Sequence, residues 1–300
     1  MDLTMALAGL GVGVVVGLTG MGGGALMTPI LVLLFHVNPV AAISSDLAAS
    51  AVMKPFGGAV HARRGTVNWK LVGWLCAGSI PSAFLGVLLL RLLGDDADVQ
   101  HMVKIALGAA LLLAAGGMIL KAWTSRRNGD GPAAEITVKP IPTILIGIMG
   151  GLVVGLTSVG SGSLIIVALL AVYPKLRAND LVGTDLVQAI PLVTAAALGH
   201  ALFGDLQLDI AGAVVLGSIP GVLIGSRISS RAPGGLVRAA LIIVLLASSL
   251  KLFDVPTPLV GAVTGAAALV AVALGVAGRL RRPPAGGTPA EAAERETVAV

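Results

Sequence analysis

Gly17-Leu18-Thr19-Gly20-Met21-Gly22-Gly23-Gly24 lies in the middle of an apolar run from 3 to 36, and its opening returns as Gly155-Leu156-Thr157-Ser158-Val159-Gly160 inside a second run, 141–173. One helical crossing of a bilayer takes about 20 residues, and both runs are far longer. A glycine-rich break in each divides it into two half-length helices, the pattern of discontinuous helices in membrane carriers. With a one-residue shift the same offset continues: Asp46-Leu47 aligns with Asp185-Leu186, His61 with His200, Gly78-Ser79-Ile80-Pro81 with Gly217-Ser218-Ile219-Pro220, and Gly86 with Gly225. Chance similarity between apolar stretches does not hold one offset across Asp, His and Pro. The chain is an internal duplication.

Composition places these runs in lipid. Hydrophobic residues make up 56% of the 300 and charged residues 12%, with a mean hydropathy of +0.97. A water-facing surface carries roughly 25% charged residues, so a soluble enzyme, a disulfide scaffold and a disordered chain are excluded. The 41 glycines suit helices packed closely through small side chains. Further apolar segments at 40–60, 69–92, 99–121, 180–201, 209–227, 236–252 and 257–278 read as helices, because an open strand in lipid leaves its backbone unpaired. The single cysteine, Cys76, forms no internal disulfide and reads as a packed thiol. The acidic start Met1-Asp2-Leu3-Thr4 argues against a cleavable signal peptide. The net charge of +5 comes from Lys and Arg in short loops, which points to the positive-inside rule and not to nucleic acid.

Loop charge sets the orientation of the halves. Arg63, Arg64 and Lys70 follow the second segment, whereas the equivalent loop of the other half carries Asp205 and Asp209. Asp95, Asp96 and Asp98 face Arg227, Arg231 and Arg238 in the same way at the next loop. The inversion at both positions predicts two repeats of opposite topology, with 61–70 cytoplasmic and 201–208 outside. It also requires 141–173 to leave on the side it entered, either as a re-entrant hairpin of half-helices or with both arms crossing a thin place. The expected architecture is an all-α polytopic membrane protein of two inverted repeats, each a broken helical hairpin followed by transmembrane helices. Residues 1–121 form the first repeat, 122–140 a cytoplasmic linker, 141–256 the second repeat, 257–282 a final helix, and 283–300 a disordered cytoplasmic tail.

The polar residues inside this apolar background are few. The breaks (Gly20, Gly22, Gly23, Gly24; Ser158, Gly160, Ser161, Gly162) serve either close packing or a cavity, where free amides at a half-helix start favour an anion. Asp46 and Asp185, with Ser45 and Thr184 before them, read either as helix caps or as sites for substrate or a coupling ion. An ionised carboxylate in an apolar run costs several kcal/mol unless paired. Lys54 either pairs with Asp46 or faces the cavity as a counter-charge. Gln188, one turn after Asp185, is a candidate donor to the same ligand. His61 and His200 mark matching helix ends, at an interface or a gate. His36 and His101 are distant and no Cys or Glu cluster joins them, so neither a metal nor any other cofactor is expected, and no nucleotide-binding loop or catalytic triad occurs.

The first-half stretch Gly17 to Gly24 with Pro29, Ser44-Ser45-Asp46-Leu47, and His61-Ala62-Arg63-Arg64-Gly65-Thr66-Val67-Asn68-Trp69 resembles the TauE/SafE sulfite exporter family. Gly183-Thr184-Asp185-Leu186, Gly199-His200 and Gly217-Ser218-Ile219-Pro220-Gly221 carry the resemblance through the second half. It implies an inner-membrane permease for sulfite, sulfonates or related small anions. Many members carry Thr-Ser where this chain has Ser45-Asp46 and Thr184-Asp185, so two carboxylates are added to the site. The expectation is a multi-pass transporter, not an enzyme, that exports a small sulfur-containing anion, with Asp46 and Asp185 binding coupling protons or cations. Its partners are the anion and the bilayer, and a homo-oligomer is left open. A carrier of another anion, a membrane enzyme acting through the Asp and His pairs, and a passive channel are the alternatives.

Overall fold

The computed structural model describes residues 3–19, 24–94, 96–127, 136–174, 176, 178–203, 206–228 and 234–280. Within them the chain forms α1 (Leu3–Thr19), α2 (Gly24–Leu34), α3 (Pro39–Arg63), α4 (Trp69–Leu93), α5 (Ala97–Arg127), α6 (Pro140–Thr157), α7 (Leu164–Val172), α8 (Ala178–Phe203), α9 (Leu208–Ile228), α10 (Gly234–Leu252) and α11 (Thr257–Leu280). Both long runs are broken where glycine predicts, α1 from α2 and α6 from α7. Gly20, Gly22 and Gly23 of the first break lie outside the described residues, as do 128–135 of the linker and the whole of the tail. Among the described residues, five helices are long and apolar enough to cross a membrane: α4, Ala97–Leu120 of α5, α6, Asp180–Phe203 of α8, and α9.

The halves exchange their breaks. Helix α1 packs most extensively on α9 and α6 on α4, while α3 meets α8 and α5 meets α10. Small residues make the exchange possible. A Cβ at Gly9, Gly13 or Gly17 of α1 would strike the carbonyls of Val214, Ser218 or Val222 on α9, and a Cβ at Gly217, Gly221 or Gly225 would strike those of Ala6, Leu10 or Val14. Gly147, Gly151 and Gly155 of α6 meet Leu75, Ser79 and Ala83 of α4 in the same way. Backbones at such separation gain dispersion contacts that lipid chains cannot supply. The packing role open to these glycines is thus the one they fill.

Helix α3 falls below the apolarity of the five, because it carries Ser44, Ser45, Asp46, Ser50 and Lys54. All five are buried, enclosed by α2, α5, α8 and α9. In the second half, the single tyrosine fastens the hairpin. Tyr173, just after α7, takes a hydrogen bond from the Lys139 N–H (2.8 Å), donates to the Lys139 carbonyl (3.1 Å) and bonds the Thr143 hydroxyl (2.7 Å). The end of α7 therefore returns to the start of α6. With 9 residues, α7 rises only about 14 Å, half the hydrocarbon core of about 30 Å. Outside the helices, Asp254 accepts from Lys104 at 2.5 Å, and this contact holds its carboxyl below the usual carboxylate range.

Candidate functional site

Asp46 stands eight residues into α3 and Asp185 eight into α8. Neither caps its helix; at the start of α3 the Asn38 side chain accepts from the Val40 N–H at 3.0 Å instead. The capping alternative is therefore set aside for both. Asp46 is fully buried. Its Oδ2 accepts from Thr28 of α2 at 2.8 Å and from Ser158, the first residue of the second break. Gly24 completes the contact: a Cβ there would press on Ser158 and come within 3.1 Å of Asp46 Oδ2. One carboxylate of the first half thus gathers the start of α2 and the break of the other half.

Two turns further along α3, Lys54 donates to Ser161 at 2.5 Å. Its ammonium also bears electrostatically on Asp185 and Asp46. Of the two roles read for Lys54, a direct pair with Asp46 gives way to a bond with the broken helix. Asp185 accepts from Gln188 at 3.4 Å, and Gln188 accepts from Ser79 of α4 at 3.3 Å. The break itself is wound through Ser158 at φ 61°, Gly160 at 128° and Gly162 at 104°, conformations that favour glycine. Beyond Ser161 and Ser163 lies a cavity of about 20 Å³ walled by Leu26, Ala114, Met118 and Leu241, room for about one water. Asp46, Lys54, Asp185 and Gln188 are all buried, so this conformer is closed over its polar centre.

The remaining sequence candidates divide. Thr184 accepts from the Asn68 N–H at 3.0 Å, so it anchors the loop before α4. His61 bonds Thr66 at 2.9 Å in that same loop. His200, in the last turn of α8, differs: it is fully buried, with Nε2 3.4 Å from the Gly155 carbonyl of α6. Ser45 Oγ has no hydrogen-bond partner among the described residues. Thr28 and Ser79 join the site without having been singled out. Thr28 has apolar Ile166 at the equivalent position, so the repeat offered no signal for it.

An all-helical bundle with five helices apolar enough to cross a membrane among the described residues, and a buried carboxylate bonded to the break of its second half, fits a multi-pass membrane transporter. The chain belongs to the sulfite exporter TauE/SafE family, whose model matches residues 5–252. It is 42% identical over 257 residues to "Probable membrane transporter protein YjnA" of Bacillus subtilis (strain 168), which covers 84% of this chain and all of the relative. It is 24% identical to "Probable membrane transporter protein YdhB" of the same organism, across 76% of this chain and 91% of the relative. A "Probable membrane transporter protein" of Xylella fastidiosa (strain Temecula1 / ATCC 700964) is 26% identical across 76% of this chain and 85% of the relative. No solved structure matches the chain. The protein is accordingly a multi-pass protein of the plasma membrane.

Proposed function

We propose that this protein is a secondary transporter that exports a small sulfur-containing anion, such as sulfite or an organosulfonate, with Asp46 and Asp185 binding the coupling proton or cation. The observation that carries this reading is the convergence of Asp46 on Ser158 and of Lys54 on Ser161. Charged groups of one half there grip the broken helix of the other, so a change of charge at α3 acts directly on that break. The break supplies hydroxyls and unwound backbone suited to an oxyanion, and Lys54 supplies the counter-charge.

The exchanged pairs α1–α9 and α6–α4 support an inverted-repeat arrangement, since each joins one equivalent element of either half. The return of α7 to Lys139 supports a re-entrant second hairpin. Because the centre is closed, transport needs the halves to move apart alternately on the two faces. Uphill flux of sulfite or a short organosulfonate in proteoliposomes, driven by an imposed proton or cation gradient, is the expected result. Flux that never exceeds equilibration would reduce the protein to a channel, and chemical turnover without vectorial flux would make it an enzyme.

A further inference from the structure

Two buried oxygens of α3 have no hydrogen-bond partner among the described residues and share one helical face: Asp46 Oδ1 and Ser50 Oγ, four residues on. Both departures are specific. Asp46 Oδ2 is used by Thr28 and Ser158, yet the other oxygen of the same carboxylate has no hydrogen-bond partner among the described residues. Several helix hydroxyls satisfy themselves against the carbonyl one turn back, as Ser82 does on Gly78, Ser218 on Val214 and Thr194 on Ile190. That is the usual recourse of a hydroxyl in an apolar helix, and Ser50 forgoes it.

A buried ionised carboxylate needs an opposite charge. Lys54 is about 12 Å further along α3, and its ammonium is bonded to Ser161 of the other half, not to the Asp46 carboxylate. Water would satisfy lone pairs but leave the charge uncompensated. A proton on Oδ1 would remove the charge but leave Ser50 unserved, as no hydrogen bond joins the two. Side chains four apart on a helix have Cβ atoms about 5–6 Å apart. A hard cation with oxygens about 2.3–2.6 Å away can bridge them, its remaining ligands being water.

We propose that Asp46 Oδ1 and Ser50 Oγ hold a single sodium ion. Charge selects a monovalent ion, because one carboxylate is to be offset. The duplication selects one site: the equivalents of Ser50 and Lys54 are Ala189 and Val193, so Asp185 has no second oxygen at that spacing. Ser45 lies about 100° around the helix and is not a ligand. The inference rests on the reading of Asp46 as the ion-coupling carboxylate, and names its ion.

Thermal unfolding of the detergent-purified protein at fixed pH and ionic strength, with sodium chloride exchanged for choline or potassium chloride, tests it. A ligand bound only by the folded state raises the midpoint saturably. Sodium is expected to do so in the wild type and in Asp185→Asn, with no effect in Asp46→Asn and a half-saturating concentration at least about tenfold higher in Ser50→Ala. Should Asp46→Asn fail to fold, Ser50→Ala carries the test alone, since it leaves the carboxylate in place. Equal midpoints in sodium and choline overturn the site, as does a wild-type response in Ser50→Ala or its loss in Asp185→Asn. A midpoint that follows pH and ignores sodium gives Asp46 to a proton. Anion flux in the same preparations separates the readings: flux without a sodium response removes the ion and keeps the transporter, and the converse removes the transporter alone.

Discussion

At the scale of single residues, the Lys54–Ser161 bond is the contact most open to measurement. Lys54 carries a positive charge beside the broken helix where the anion is proposed to bind. Lys54→Met removes the charge that would meet the anion, a charge-assisted contact of about 1.5–3 kcal/mol, which corresponds to about 10–150-fold in anion affinity. The expected outcome is a KM raised by that factor in proteoliposome flux, with Lys54→Arg recovering part of it and Ser161→Ala a milder defect. Unchanged KM in Lys54→Met would leave Lys54 a structural tie. Asp46, Lys54, Asp185 and Gln188 were legible because ionisable and amide groups are costly in apolar runs and so stand out. Thr28 and Ser79 were not, since a hydroxyl can satisfy itself on its own helix, and only the fold shows which ones reach out. Thr184 and Ser45 read alike beside their aspartates, yet Thr184 serves the Asn68 backbone. That distinction depends on a loop from the other half.

At the scale of elements, the breaks were legible from length alone: a run of more than thirty residues with glycine at its centre cannot be one crossing. What no spacing could reveal is the partner of each glycine face. The same pattern serves α1 against α9 and lipid-facing positions with no neighbour. Gly217→Ala places a methyl on the Ala6 carbonyl and is expected to cost about 1–3 kcal/mol or more from overpacking. Gly73 meets nothing within 4 Å, so Gly73→Ala is expected to be neutral or to gain up to about 1 kcal/mol of helix stability. The folded fraction after heating, read by size-exclusion chromatography, compares the two. Equal behaviour would mean the α1–α9 seam is looser than described. Tyr173→Phe removes the clasp on Lys139 and Thr143 and is expected to cost about 1–3 kcal/mol, seen as a lower unfolding midpoint. Phe35 already stands at the equivalent position of the first half, which makes the two hairpins unequal at their bases.

At the scale of the whole molecule, the decisive question is whether the repeats face opposite ways. Arg63, Arg64 and Lys70 against Asp205 and Asp209 predict it, because cytoplasmic loops retain Lys and Arg while acidic loops cross. The exchanged packing is compatible with it: under a pseudo-twofold axis in the membrane plane, α1–α9 would map onto α6–α4, and Asp46 and Asp185 would reach one depth from opposite faces. Two parallel repeats would set them at one depth too, but would put the loops before α4 and α9 on a common side. Arg64 and Gln207 are exposed residues of those loops. In a Cys76→Ala background, Arg64→Cys is expected to react with a membrane-impermeant maleimide only in inside-out vesicles, and Gln207→Cys only in intact cells. Labelling of both from one side would make the halves parallel. The contact of the second break with Asp46 would then need another account, since alternation between the two faces would no longer exchange the roles of the halves.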